Sequence, residues 1–176
     1  MEKTFKSSAI NYGLYLGAAL SLITITIWFV NINLMANIWL GIGLLLAVIA
    51  FGVVSTAKSK SIMEGFLTFK EAFSSYFITV AVGIIISQVV SFILFSIVDP
   101  DAAKQIQQIT IDSTVNMMEG FGAPAESIAE AVEKIENTDQ FSVVNVLKST
   151  AWSLIFQAVI GLIVALIMKK NNPDAE

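Results

Sequence analysis

Apolar residues fill long uninterrupted stretches of the chain, and the polar residues that separate them fall at only a few places. A helix needs roughly 20 mostly apolar residues to cross a hydrocarbon core of about 30 Å. The uncharged run from Ser7 to Ala57 is too long for one crossing and must hold two. The division falls at Asn31, Asn33 and Asn37, whose amides can bond water or frayed helix ends. Spans are therefore expected over 9–30 and 38–55, the second ending before Lys58 and Lys60, whose ammonium groups are costly inside a bilayer.

A third span is expected over 73–98. Between Phe77 and Val98 fifteen residues are Ile, Leu, Val or Phe, which outweigh Gln88 and the hydroxyls. Thr68 and Glu71 have the spacing of a capping box at its start, each side chain placed to bond the other's backbone amide. Asp99-Pro100 ends it, because the residue before proline is steered out of the α region and proline has no amide proton to donate. A fourth span is expected over 150–168, closed by Lys169, Lys170 and the tail Asn171 to Glu176. The reading is an all-α fold: one membrane domain over 1–176, a four-helix bundle. The first apolar stretch exceeds a signal peptide's apolar region of roughly 7–15 residues, and no A-x-A site follows it, so it is read as a span.

The polar segment 99–148 is too long for a structureless loop and carries helical punctuation. It predicts an amphipathic helical hairpin. Asp99 is placed to cap a helix with Pro100 at its first position, running to about Glu119 with Ala102, Ile106, Ile109 and Met117 on one face. Gly120, Gly122 and Pro124 break it. A second helix over 125–136 carries Ile128, Val132 and Ile135 as a stripe, with Glu126, Glu130, Glu133 and Glu136 outside it. Thr138 or Asp139 is the expected cap of the stretch leading into the last span.

Charge placement orients the bundle. Lys3, Lys6, Lys58, Lys60, Lys70, Lys169 and Lys170 all fall on one side, which the positive-inside rule makes cytoplasmic together with both termini. The hairpin, with nine acids against three lysines, is then extracytoplasmic. Trp28, Trp39 and Trp152 belong to an outer aromatic belt, and Tyr12, Tyr15 and Tyr76 to an inner one. The chain has no Cys and no His, which removes disulfides, thiolate nucleophiles, the commonest metal ligand and the usual general base. With no arginine and a net charge of −4, nucleic acid is not an expected partner. No metal or cofactor site is expected, and no enzyme, because no Ser/Lys pair stands in a suggestive place and the acids lack a calcium-loop pattern.

Small residues allow close helix approach in lipid. Gly13/Gly17/Ser21, Gly43/Ala47, Gly83/Ser87/Ser91 and Gly161/Ala165 have that spacing, read here as packing within one chain; the oligomeric state stays open. Gln88 and Gln157 lie inside their spans, where an amide seeks a partner on a neighbouring helix; a bond between the two is expected as packing glue. The alternative is that they line a solute path with Ser87, Ser91 and Ser153. No acidic or basic residue falls within the four spans, so the marks of proton relays and ion-coupled carriers are missing.

The residues Gly65-Phe66-Leu67-Thr68-Phe69-Lys70-Glu71-Ala72-Phe73 and Val98-Asp99-Pro100-Asp101 resemble a bacterial family, domain-of-unknown-function family 4199 (DUF4199), over nearly the whole chain. The resemblance implies a small four-span protein of the cytoplasmic membrane with a long segment between its last two spans, and no activity, ligand or catalytic residue. Its signature-like positions here are Thr68, Glu71, Asp99, Pro100 and Asp101. The expected function is that of a non-enzymatic structural or protein-interaction component of the cell envelope. Its partners would be membrane lipid and another envelope protein met through the acidic hairpin. The alternative is a small channel or facilitator for a neutral solute.

Overall fold

The computed structural model describes residues 5–171; Lys3 and the polar tail beyond Asn171 lie outside them. Six α-helices follow one another among the described residues: α1 (Phe5–Val30), α2 (Ile38–Ile62), α3 (Phe69–Ile93), α4 (Pro100–Gly120), α5 (Ala125–Glu136) and α6 (Val143–Met168). Helices α1, α2 and α6, and α3 with its C-terminal extension to Val98, are long and apolar enough to cross a membrane. In the most apolar part of each, only 17–28% of residues are buried by other parts of the protein. The remaining apolar surface needs lipid as its solvent.

Helix α3 is the centre of the bundle and packs against α1, α2 and α6. Its buried face, Ala72, Ser75, Tyr76, Thr79, Val80 and Gly83, recurs every three to four residues. It is mostly small and hydroxylic, as helix contacts in lipid are when no water drives large apolar groups together. Added Cβ atoms would fall 2.7 Å from Val82 Cβ at Gly13 and 2.8 Å from Ile86 Cβ at Gly17, so α1 and α3 approach as only glycine permits. Gly83 and Gly161 are used in the same way within the chain, against Leu16 and Tyr76. Gly43 is not: no atom lies within 4 Å of where its Cβ would be, and the close approach on α2 is made by Gly52.

The helix ends mostly follow the local chemistry of the sequence. Asn31 accepts from the Asn33 amide (3.1 Å) at a 3-10 turn over Ile32–Ala36, and Asn37 caps α2 through the amides of Trp39 (3.0 Å) and Leu40 (3.1 Å). The Thr68–Glu71 capping box forms at the start of α3. All four span helices run beyond the expected bounds: α1 starts at Phe5 and α3 at Phe69, and the other two extend further. α2 continues through Lys58 and Lys60 to Ile62, because lysine is a good helix former once outside lipid. α6 begins at Val143 rather than 150, leaving Lys148 exposed on its surface, where a long side chain reaches the interface. Its cap is Ser142, not Thr138 or Asp139. Thr138 donates back to the Lys134 carbonyl (2.6 Å), and the Asp139 carboxylate accepts from the Phe141 amide (3.1 Å).

At the lysine-rich end, α2 turns into α3 through Glu64 and Gly65, both with positive φ (55° and 88°). Leu67 and Lys170 then exchange two backbone hydrogen bonds of 2.8 Å, which fix the antiparallel register of α3 and α6. Lys60 Nζ donates to the last-turn carbonyl of Met168 (2.9 Å). At the other end α3 widens into a π turn over Leu94–Val98, closed by Asp99 N donating to Leu94 O (2.8 Å). Helices α4 and α5 follow as the hairpin.

Candidate functional site

Two features gather polar chemistry, and they lie at opposite ends of the bundle. The first is a buried joint around Tyr76. Its side chain is fully buried, so it is no belt residue, in contrast to Trp39 and Trp152, which remain exposed. A Cβ at Gly52 of α2 would fall 2.4 Å from one edge of the ring, and a Cβ at Gly161 of α6 would fall 2.8 Å from the other. The ring thus lies between two helices at points where neither has a side chain. Its hydroxyl donates to Gln157 Oε1 at 2.8 Å.

That bond replaces the expected Gln88–Gln157 pair. With Leu67 opposite Lys170, Gln157 falls level with Val80 and one turn from Tyr76, whereas Gln88 falls level with Ser149 and Thr150. Gln88 makes no side-chain hydrogen bond among the described residues, and it borders an apolar groove between α3 and α6.

Around Tyr76 the buried hydroxyls bond one another. Ser59 Oγ and Ser75 Oγ are 2.7 Å apart, and Thr79 Oγ1 lies 2.7 Å from Ser55 Oγ and 3.0 Å from the carbonyls of Ala9 and Ser75. Thr56 donates to Gly52 O (2.8 Å). Contacts of this kind between membrane helices are worth about 0.6–2 kcal/mol each. Sequence reasoning missed the joint. Its signal was there, in Gly52, Ser55, Thr56 and Ser59 recurring at helical spacing on α2 opposite Ser75, Tyr76 and Thr79 on α3.

The second feature is the root of the hairpin. The π turn brings Asp99 to a place where Oδ1 accepts from the Ala102 amide (3.0 Å), capping α4, and Oδ2 accepts from Trp28 Nε1 of α1 (3.0 Å). Trp28 therefore ties α1 to the hairpin, a role that belt placement does not reveal. These bonds, the Trp28 one foremost, hold the Asp99 carboxyl below its ordinary value of 3.8. A depressed folded value stabilises the root fully above 3.8, and the contribution is lost as pH falls through the folded value. The indole Nε1–H resonance of Trp28, set by its bond to the carboxylate, is therefore expected to hold steady down to about pH 4 and to move below it. In Asp99→Asn that titration should be absent.

Apolar packing and backbone carbonyls complete the root. Leu94, Phe95, Ala102 and Ile106 form a buried cluster joined by Trp28, Ile32 and Met35, and the Phe95 and Phe141 rings stand 4.9 Å apart. Ser96 Oγ donates to Phe141 O (2.8 Å). Gln107 Nε2 reaches the carbonyls of Ile135 (2.8 Å) and Glu136 (3.1 Å), closing α5 onto α4. On α4 the buried stripe is Ala102, Ile106 and Ile111; the expected Met117 is half exposed and Ile109 only partly buried. Ile128, Val132 and Ile135 are partly buried, and α5 packs on α4, so they serve to close the hairpin. Glu126, Glu130, Glu133 and Glu136 are exposed, and Phe121 at the tip is 86% exposed. Asp101 pairs with Lys104 at 2.9 Å and holds that ammonium above its ordinary value, but so exposed a pair anchors little. Among the described residues no three His, Cys, Asp or Glu side chains are grouped to hold a metal ion.

Four long apolar helices around a hydrogen-bonded joint define a multi-pass helical membrane protein. The chain belongs to DUF4199, a family described as proteins of unknown function, whose model matches residues 11–170. No curated protein and no solved structure matches it. The signature-like positions are structural devices here: Thr68 and Glu71 cap α3, while Asp99 and Pro100 start the hairpin, and Asp101 pairs with Lys104.

Proposed function

We propose that the protein is a non-enzymatic component of a bacterial cytoplasmic membrane that presents its hairpin on the extracytoplasmic side, to dock a basic segment of another envelope protein. The observation that carries this reading is the way the hairpin is held. The Trp28–Asp99 bond, the Leu94/Phe95 cluster and the Ser96–Phe141 bond fix its base to the bundle, the Gln107 clamp closes α5 onto α4, and the acidic face stays exposed. A segment meant only to connect two spans needs no such root. Exposed like charges on a fixed helix steer and orient an oppositely charged partner. The orientation rests on the lysines: among the described residues, all but Lys104, Lys134 and Lys148 lie opposite the hairpin.

The solute-path alternative draws little support from the core. Gln157 is bonded to Tyr76 and the hydroxyls of Ser55, Ser59, Ser75 and Thr79 to one another, while Gln88 borders a groove that presents almost no polar surface. The test is crosslinked co-purification from native membranes of wild type and the combined Glu126→Gln, Glu130→Gln, Glu133→Gln variant. The variant should fold normally, with an unfolding midpoint within a few degrees of wild type, and recover at least fivefold less of a partner whose capture by wild type falls with salt. Equal recovery at low and high salt by both proteins would contradict the docking role.

A further inference from the structure

Helices α3 and α6 pack closely around Tyr76 and Gly161 and separate toward the hairpin, opening two adjoining hollows. The first, of about 370 Å³, is a groove bordered by Ile85, Val89, Val146 and Leu147; Gln88 and Thr150 also border it but present almost no polar surface to it. It lies in the apolar part of the spans and faces where lipid must be. The second, of about 590 Å³, is a chamber of mixed lining under α4 and the α5–α6 link, where Lys104, Gln107, Glu136 and Asp139 stand beside Phe95 and Phe141. Phe92 and Val143 line both, so one hollow leads into the other where the helices leave the apolar zone. Each has the size of a small-ligand pocket, roughly 300–1,000 Å³.

We propose that this two-part cleft holds one phospholipid of the hairpin-side leaflet, an acyl chain in the groove and a zwitterionic headgroup bearing a primary ammonium in the chamber. The lining changes along the cleft from almost wholly apolar to one that carries charged and amide groups, as such a lipid changes from acyl chain to headgroup. The chamber selects the headgroup by charge. Lys104 meets the phosphate, its exposed pairing with Asp101 being weak enough to exchange, and Glu136 and Asp139 meet the ammonium. With two acids against one lysine, a headgroup of net negative charge is disfavoured.

Native mass spectrometry of the detergent-purified full chain tests this with phosphatidylethanolamine and phosphatidylglycerol of matched chains. One phosphatidylethanolamine should survive delipidation, held at least tenfold more tightly than phosphatidylglycerol. Val89→Trp and Leu147→Trp fill the groove from opposite walls, at side chains that are 51% and 65% exposed and so carry little core packing. Each should lower retention at least tenfold with helicity unchanged, and Lys104→Gln several-fold. Independently, a phosphatidylethanolamine with a photoreactive acyl chain should crosslink wild type mainly at the groove faces of α3 and α6. Equal retention of the two lipids, undiminished retention in a folded Trp variant, or crosslinks spread evenly over the four spans would overturn the proposal.

Discussion

Tyr76→Ala is expected to destabilise the bundle by about 2–4 kcal/mol, measured by reversible unfolding in mixed detergent. Large-to-alanine changes at aromatic core sites typically cost about 3–5 kcal/mol in water-soluble proteins. The lower range applies because lipid lacks the water that supplies the transfer part of that cost, leaving lost packing and the lost hydrogen bond. The ring fills the space left by Gly52 and Gly161, so its removal opens a void where α2, α3 and α6 meet. Tyr76→Phe separates the two contributions. It keeps the ring, deprives Gln157 Oε1 of its donor, and should cost about 1–2 kcal/mol. Gln157→Leu should fall in the same range. A Tyr76→Ala protein as stable as wild type would mean that the joint does not hold the bundle together.

The second large effect is expected at the α1–α3 contact. Gly13→Leu places a Cβ 2.7 Å from Val82 Cβ and 2.9 Å from the Thr79 carbonyl, and backbone cannot yield as a flexible side chain would. Overpacking of this kind costs about 1–3 kcal/mol or more. It would also pull the Ala9 carbonyl away from the Thr79 hydroxyl. Gly43→Leu is the control, since its Cβ meets nothing within 4 Å; it should not destabilise the bundle and should gain up to about 1 kcal/mol from helix propensity. The comparison also decides what the small-residue spacing is for. If Gly13→Leu left the monomer's stability intact and changed only its oligomeric state, the motif would be an interface between copies rather than a contact within one chain.

How much of this was legible depended on which solvent sets the rule. Lipid forces backbone bonds inside each span and keeps charge out, so four spans and a polar hairpin follow from the positions of lysine and asparagine alone. The caps at Thr68 and Asp99 were equally readable, because Thr68 with Glu71 and Asp99 with the Ala102 amide bond within one turn of themselves, whereas the cap of α6 was not. Features set by tertiary register were not. Tyr76 is near enough to the end of α3 to read as a belt residue, and only its neighbours, Gly52 and Gly161, show that it turns inward. The pairing of Gln157 with Tyr76 rather than Gln88 depends on the Leu67–Lys170 register, which two spans considered singly do not reveal. The π turn over Leu94–Val98 has no local signal either; it accompanies the joining of Asp99 to Trp28 across 71 positions.

Every functional statement about the hairpin depends on its side of the membrane, and single-cysteine labelling reads that side directly. The chain has no native cysteine, so no background needs removal. Ser127 on α5 and Ser61 at the end of α2 are both exposed, whereas Ser59 is fully buried against Ser75 and unsuitable as a probe. In intact cells whose outer barrier admits a membrane-impermeant thiol reagent, Ser127→Cys should label fully, and Ser61→Cys only after the cytoplasmic membrane is opened. Labelling of Ser61→Cys in intact cells, with Ser127→Cys protected, would place the acidic hairpin in the cytoplasm and contradict the proposal that it docks an envelope partner.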